Sequence, residues 1–560
     1  LMQKQLIECV PNISEGCDLE KINIIAHSIE QIEGVKLLDI DPGKATNRTV
    51  ITFVGEPQKV IDAAFILIKK AAELIDMSKH HGEHPRFGAT DVCPLVPISG
   101  ITIEETSKYA KLLGERVGIE LGIPVYLYEN AAQESKRKNL ANCRSGEYEG
   151  LKEKLSNPNW KPDFGPSEFN NSVAKTGATA ISARDFLIAY NVNLNTTSTR
   201  RANAVAFDIR EAGRVKLENG KKVLDPNGDP IRIPGKLKAV KGIGWYIEEY
   251  GIAQISYNLT NISITSMHRA FDESCKAAQE RGLRVTGSEL IGLIPLKAML
   301  DAADFYLLKQ ERSLGICESE KIKIAVKSLG LDDLKSFHPN EKIIEYVLKG
   351  KTNNLIDMSL TAFADETAGE SMAPGGGSIS AYVGALGVSL GTMVANLSAH
   401  KPGWDNRWSE FSDWAVKGQS YKETLMALVD EDTHAFNKII GAFRLPKSSL
   451  EEKSIHSQAV ELATKYGTEI PFKVMETACN SMEVMLAMVK DGLQNSLSDA
   501  GVGALCARTA VTGAYFNVRI NAKDIKDRTY AEALLKKAAS VYKDALQKEA
   551  EIIAFIDAKI

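Results

Sequence analysis

The sequence predicts a chain in three parts: two α/β subdomains, each a layer of helices on a mixed sheet, and then an all-α bundle. Three observations carry that reading. The chain has 560 residues, too many for one hydrophobic core. Alternating strand and helix patterns run through its first half and end in an apolar stretch at Ser288 to Pro295. After the polar run Lys349-Gly350-Lys351-Thr352-Asn353-Asn354 the apolar period becomes helical and strand signals almost vanish. The expected division is 1–180, 181–330, a linker at 331–354 and the bundle at 355–560.

In the first subdomain Leu6 to Ile13 reads as a strand and Leu19 to Ile32 as a helix, followed by strands Val35 to Ile40 and Arg48 to Val54. A helix from Val60 to Met77, a strand over Ala89 to Pro97, a helix from Glu104 to Leu121 and a strand at Val125 to Tyr128 complete it. This βαββαβ order is that of a ferredoxin-like layer. Residues 141–180 show little regular pattern. Within them Gly165, Pro166, Ser167 and Gly177 mark a long irregular connection, a kind of segment that is functional or disordered. The second subdomain repeats the order with a strand at Phe186 to Asn193, a helix from Arg201 to Ala212, strands around Ala239 to Glu249 and Ala253 to Leu259, and a helix from Ala270 to Arg281. The hydrophilic insertion from Asn219 to Asp229 reads as an exposed loop.

Met372 to Ala399 holds no charged residue and is long enough to span a membrane. It is poor in large apolar residues, however, and Gly384, Gly387 and Gly391 suit close backbone approach inside a soluble bundle. Pro374 and the three glycines after it resemble a phosphate loop, but no Gly-Lys-Ser/Thr follows. The next helix, Tyr421 to Phe443, carries Leu425, Leu428, Val429, Phe436, Ile439, Ile440 and Phe443 at helical spacing, and Asp432 falls on that stripe. A carboxyl there is either a buried acid that pairs with an arginine or caps a neighbouring helix, or a general acid whose pKa desolvation raises. Asp430 and Glu431 fall nearer the solvated edge. Helices over Ile470 to Leu493, Ser498 to Phe516 and Tyr530 to Ile560 complete the bundle.

Composition narrows the function. With 44% hydrophobic and 25% charged residues and a net charge of −4, the chain is not expected to bind nucleic acid. Its eight cysteines include no C-x-x-C pair, which disfavours a zinc ribbon or a disulfide framework and fits a reducing cytoplasm. Leu1 to Glu8 lacks the apolar core and cleavage site of a signal peptide, so the expected location is cytoplasmic, with no membrane partner.

The densest chemistry lies at His80-His81-Gly82-Glu83-His84-Pro85-Arg86, which holds three of the nine histidines. His80, Glu83 and His84 match a zinc spacing, and a zinc hydrolase with a helical interaction domain is one reading. Gly82 and Pro85 oppose the helix that this spacing requires. A loop that carries a catalytic imidazole between a helix and a strand fits better, and no metal is expected.

Four stretches in order carry a resemblance. Glu8-Cys9-Val10-Pro11-Asn12-Ile13-Ser14-Glu15-Gly16, the loop Gly82-Glu83-His84-Pro85-Arg86-Phe87-Gly88-Ala89-Thr90-Asp91-Val92-Cys93-Pro94, Ala373-Pro374-Gly375-Gly376-Gly377-Ser378 and Gly513-Ala514-Tyr515-Phe516-Asn517-Val518-Arg519-Ile520-Asn521 resemble the formimidoyltransferase-cyclodeaminase family along nearly the whole chain. The resemblance implies transfer of a formimidoyl group from N-formimidoyl-L-glutamate to N5 of tetrahydrofolate, the co-substrate, in polyglutamylated form. Ring closure to 5,10-methenyltetrahydrofolate then releases ammonia. It implies His84 as the catalytic imidazole of transfer and Asp432 as the acid of cyclodeamination, with no role for His81. It implies folate binding along Gly165, Pro166, Ser167 and Gly177, although Phe169 to Lys175 departs from the family pattern, and a homo-oligomer built from dimers. Asp41 is placed to orient His84 or face the cationic formimidoyl group, and Arg48 and Arg86 suit substrate carboxylates. A milder rival keeps a methenyltetrahydrofolate cyclohydrolase beside an inactive transferase half.

Overall fold

Leu6–Cys9 (β1) and Asn12–Ile13 (β2) form the middle of a seven-stranded mixed sheet. On one side Arg48–Gly55 (β4) pairs antiparallel with both, and Val35–Gly43 (β3) pairs with β4 at the edge. On the other side Thr90–Ser99 (β5) pairs antiparallel with β1 and β2. Thr179–Ala183 (β7) then runs parallel to β5, and Val125–Glu129 (β6) parallel to β7. The computed structural model describes residues 5–43, 47–81, 86–349 and 354–560.

Helices Leu19–His27, Pro57–Leu74 and Ile103–Glu120 begin where the local chemistry dictates. Asp18 accepts from the Lys21 N–H, Pro57 occupies the first turn, and Thr102 with Glu105 forms a capping box. Their apolar faces meet Ile7, Ile51, Phe53 and Leu95 of the sheet in one core. The sheet residues Val92, Tyr126, Tyr128 and Ala180 instead pack with Cys143, Leu151, Leu155 and Val173. Those four belong to a stretch expected to be irregular. It folds into short helices at Leu140–Cys143, Leu151–Ser156 and Asn171–Thr176, too brief to register as a helical period.

A second, four-stranded sheet follows. Ile188–Leu194 (β8) lies between Ile252–Leu259 (β14) and Val285–Ile291 (β15), and Val240–Ile247 (β13) pairs outside β14. Four two-residue strands, β9 to β12 (Arg214–Val215, Leu217–Glu218, Lys221–Lys222 and Arg232–Ile233), form two small ribbons in the polar insertion. Helix Thr199–Ile209 lies close to β13 because Gly244 has no side chain there; a Cβ at Gly244 would lie 2.6 Å from the Ala202 carbonyl carbon.

The C-terminal region is helical. Its main helices are Gly376–Ala399, Trp408–Phe443, Leu450–Asp491, Leu497–Asn521 and Arg528–Asp557. By internal contacts the chain forms two units: Leu1–Pro295 with Asp333–Ser336 and Lys342–Ile344, and Leu296–Asp332 with Phe337–Glu341 and Glu345–Ile560. Gly376–Ala399 is long and apolar enough to cross a membrane, yet 61% of its most apolar window is buried within the bundle. Its glycines account for that packing. A Cβ at Gly387 would lie 2.7 Å from the Gly503 carbonyl oxygen, and one at Gly391 2.8 Å from the Met485 sulfur.

Two bundle helices are longer than their periodicity predicts. The second starts at Trp408, and the third runs through Pro471. Proline removes the N–H that would bond to Gly467, and the Asn521 side chain donates to that carbonyl instead, at 2.8 Å. The expected core stripe also changes character along its length: Leu425, Leu428 and Val429 are buried, whereas Phe436 and Phe443 are 37% and 58% exposed.

Candidate active sites

In the first unit, strand register gathers the sequence candidates at one end of the large sheet. Ile13 is opposite both Thr49 and Thr90, and Gly43 is opposite Arg48, so the end of β3, the start of β4, Ser14 to Gly16 and the start of β5 share that end. Gly82, Glu83, His84 and Pro85 lie outside the described residues, but the chain on both sides of them is held there. His80 Nε2 is 3.0 Å from the Asn47 carbonyl, and Asn47 Nδ2 donates to the His81 carbonyl at 2.8 Å. The Ser14 hydroxyl donates to the Gly88 carbonyl at 2.8 Å.

Asp91 organises this end. Its side chain is fully buried, and its Oδ1 accepts from the Phe87 N–H at 3.1 Å. Its Oδ2 meets the Arg48 guanidinium and, at 3.3 Å, that of Arg144. Arg48 also donates through Nε to Asn12 Oδ1 at 3.0 Å. Arg86 is mostly buried, paired with Glu149 at 2.5 Å and set over the Tyr148 ring at 5.9 Å. Asp41 is exposed on β3, opposite Val50.

The connection from Gly165 to Gly177 divides between two places. Gly177 (φ +66°) packs backbone to backbone on the end of the histidine loop, where a Cβ would lie 2.5 Å from the Phe87 carbonyl oxygen. Gly165 (φ +85°) is pressed on the chain entering β6, and a Cβ there would lie 2.9 Å from the Ile123 carbonyl carbon. Pro166 is partly buried, Ser167 is exposed, and Asn170 caps the helix that leads to Gly177.

The bundle candidate is simpler. Asp432 is half-buried, one turn beyond the buried Val429. It faces the start of the Gly376–Ala399 helix, where Ser378 donates to it through its N–H and, at 3.2 Å, through its hydroxyl. The same hydroxyl donates to the Val429 carbonyl at 2.9 Å. A Cβ at Gly377 would overlap the carboxyl, so glycine there is what admits Asp432. Burial pushes the Asp432 carboxyl above the ordinary carboxylate range, and the two Ser378 bonds pull it back only in part. The carboxyl thus caps a neighbouring helix while retaining an elevated affinity for a proton.

Asp430 and Glu431 correct the expectation that they are merely solvated. Asp430 accepts from the Leu355 N–H at 2.7 Å, and Glu431 accepts from the Tyr466 hydroxyl. Arg144 and Ser378 are the partners that residue-by-residue reading missed. An acid in the apolar strand Val92-Cys93 was the available signal for Asp91; nothing local marks Arg144.

Comparison with known proteins defines the class from both ends. Residues 6–184 match the formiminotransferase domain, N-terminal subdomain; residues 189–349 match the formiminotransferase domain; residues 359–540 match formiminotransferase-cyclodeaminase. The chain is thus a bifunctional enzyme, a transferase joined to a cyclodeaminase. It is 42% identical over 557 residues to the formimidoyltransferase-cyclodeaminase of Rattus norvegicus, covering 99% of each chain. The glutamate formimidoyltransferase of Thermoplasma acidophilum is 45% identical over 304 residues, 54% of this chain and 92% of that one. A methenyltetrahydrofolate cyclohydrolase of Methylorubrum extorquens is 29% identical over 202 residues, 36% of this chain and 97% of that one. This chain belongs to the formimidoyltransferase-cyclodeaminase family.

Proposed function

We propose that the first unit moves the formimidoyl group from N-formimidoyl-L-glutamate to N5 of tetrahydrofolate, and that the helical unit closes N10 onto the same carbon and expels ammonia. In transfer, N5 loses a proton and the departing glutamate nitrogen gains one. His84 relays it, since an imidazole titrates near neutrality. Arg48 and Arg86 hold substrate carboxylates, Asp41 faces the cationic group or orients His84, and Gly165, Pro166, Ser167 and Gly177 line the folate, which sits in the cleft between the two α/β subdomains.

In cyclodeamination the N10 lone pair forms the new carbon–nitrogen bond. Protonated Asp432 gives its proton to the former formimidoyl nitrogen, which leaves as ammonia while the N5–carbon double bond forms. The proton lost by N10 returns to Asp432, so the acid is regenerated. The observation that carries this reading is the Asp432 carboxyl, desolvated yet held against a helix start by Ser378. The cyclohydrolase likeness of the bundle supports it, because that relative's substrate is the product proposed here.

The same reading assigns a ferredoxin-like fold to both α/β subdomains. Counting strands within each βαββαβ repeat, both sheets have the order 2-3-1-4, which supports it. We keep 1–180 and 181–330 as the transferase, 331–354 as linker and 355–560 as the cyclodeaminase, a cytoplasmic homo-oligomer built from dimers that uses polyglutamylated folate. The decisive experiment supplies N-formimidoyl-L-glutamate and tetrahydrofolate to the purified chain and follows absorbance of the methenyl product. No product would overturn the function; product only from supplied 5-formimidoyltetrahydrofolate would leave an inactive transferase half.

A further inference from the structure

Two neighbouring glycines open the Gly376–Ala399 helix, and each exposes it to a different polar side chain. Gly377 admits the Asp432 carboxyl from the Trp408–Phe443 helix. Gly376 faces Asn517 on the Leu497–Asn521 helix, and a Cβ on Gly376 would lie 3.4 Å from Asn517 Nδ2 and 3.6 Å from Oδ1. A carboxyl and an amide, from two separate helices, therefore stand one residue apart over the same helix start. Asn517 is partly buried, and its orientation is fixed from its own helix: Nδ2 donates to the Gly513 carbonyl at 3.0 Å. That bond settles which end of the amide is the donor and leaves Oδ1 as a fixed acceptor beside Gly376. Gly513 in turn is packed on Ser380 of the helix that Asp432 caps, where a Cβ would lie 3.6 Å from the Ser380 Cβ.

We propose that Asn517 is a substrate-orienting residue of cyclodeamination, whose Oδ1 accepts an N–H of the N5-bound formimidoyl group and holds that nitrogen within reach of Asp432. The assignment rests on the reading of Asp432 as proton donor. The chemistry requires such a partner. The nitrogen that leaves carries N–H bonds and no acceptor of its own choosing, and Asp432 in its protonated form is occupied as a donor. A neutral acceptor fixes the nitrogen without competing for the proton, which a second carboxylate would do. With no side chain at Gly376 the amide stays open to a small group brought to the helix start, whereas a Cβ there would already touch it at van der Waals distance.

The test uses the full-length chain and supplied 5-formimidoyltetrahydrofolate. Asn517→Ala is expected to lower kcat for methenyl formation by about 10- to 100-fold, the loss that follows removal of one oriented hydrogen bond, while formimidoyl transfer and the melting temperature stay unchanged. Gly376→Ala, a substitution that a helix tolerates well, is expected to lower the same rate without lowering the melting temperature. Asn517→Asp places a second carboxyl near Asp432, and like-charge repulsion moves the alkaline limb of kcat to higher pH. Wild-type kcat in Asn517→Ala, or a fall in melting temperature with the alkaline limb of Asn517→Asp unmoved, would overturn the proposal in favour of a packing role. Asp432→Asn, measured in parallel, separates the two claims: full activity there removes the proton donor, while the Asn517 variants still decide their own contact.

Discussion

Asp91 and Asp432 are both carboxyls withdrawn from water at the centre of a candidate site, and the two units compensate them differently. Asp91 meets two full positive charges, Arg48 and Arg144, and an N–H. Among the described residues Asp432 meets a hydroxyl and an N–H at a helix start, where the aligned peptides present roughly half an elementary charge. Two guanidiniums tie Asp91 in place and make it a fixed anchor for the chain at Phe87. A half-charge offsets the burial of Asp432 only in part, so its carboxyl keeps a raised affinity for a proton. One residue type is thus an ion-paired anchor in one unit and, in the proposed function, a proton donor in the other, a contrast set by what surrounds it.

The largest expected effects break this contrast outright. Asp432→Asn keeps the size of the side chain and its capping oxygen but removes the exchangeable proton. Methenyl formation from supplied 5-formimidoyltetrahydrofolate should fall by about 10²- to 10⁴-fold, and transfer should be untouched. His84→Ala should do the reverse, as read by glutamate release. Near wild-type rates in folded variants would sink each assignment. By contrast, Asp91→Asn should act through stability. Losing one member of a buried ion cluster costs roughly 3 to 5 kcal/mol, so the first unit should melt early while bundle activity persists. An unchanged melting temperature would show that the guanidiniums are compensated without Asp91.

Glu8 extends the comparison to an acid with poor compensation. It lies buried in β1, and desolvation pushes its pKa from an ordinary 4.5 up to about 7 against a weaker pull from Arg184. The folded state therefore holds this proton more tightly than the unfolded chain. Below pH 4.5 both states are protonated and Glu8 costs nothing; between 4.5 and about 7 the unfolded chain ionises first and stability is lost. Above that range the loss is constant at about 3 kcal/mol, the shift converted at about 1.4 kcal/mol per pH unit. Glu8→Gln should therefore stabilise the first unit at pH 8 and be neutral near pH 4, by thermal melts at both. Stabilisation of equal size at both pH values would point to packing instead. The smallest effect is expected for Ser378→Ala. Without that hydroxyl the Asp432 pKa should rise further, so cyclodeaminase activity should persist to higher pH with only a few-fold change at its optimum. An alkaline limb displaced downward would contradict the assigned role of Asp432 as an acid.

Much of this was legible where the signal was local and periodic. Alternation and turn residues located most strands of both sheets, but not Thr179–Ala183, which begins inside the stretch read as irregular, and a 3.6-residue period singled out Asp432 among three successive acids. Long-range partners were not legible. Arg144 reaches Asp91 only because the short helices between residues 140 and 156 return to the sheet, and nothing around Arg144 announces that. Phe436 and Phe443 obey the period yet stand exposed, because periodicity reports a face and not what covers it. The Leu450–Asp491 helix was expected to begin only at Ile470, beside Pro471, since a helix interior normally excludes proline.

The bond that lets the helix continue has a consequence for how this protein can change over generations. Pro471 and Asn521 lie on different helices, yet the asparagine supplies what the proline withholds from the Gly467 carbonyl. Replacing Pro471 with alanine restores the helix's own N–H and releases Asn521 to drift. Losing Asn521 first strands a buried carbonyl, at a cost of about 1 to 3 kcal/mol. Neutral descent is therefore ordered at this pair, with the proline free to go first and the asparagine only after it, so lineages that retain the proline should be found to retain the asparagine as well.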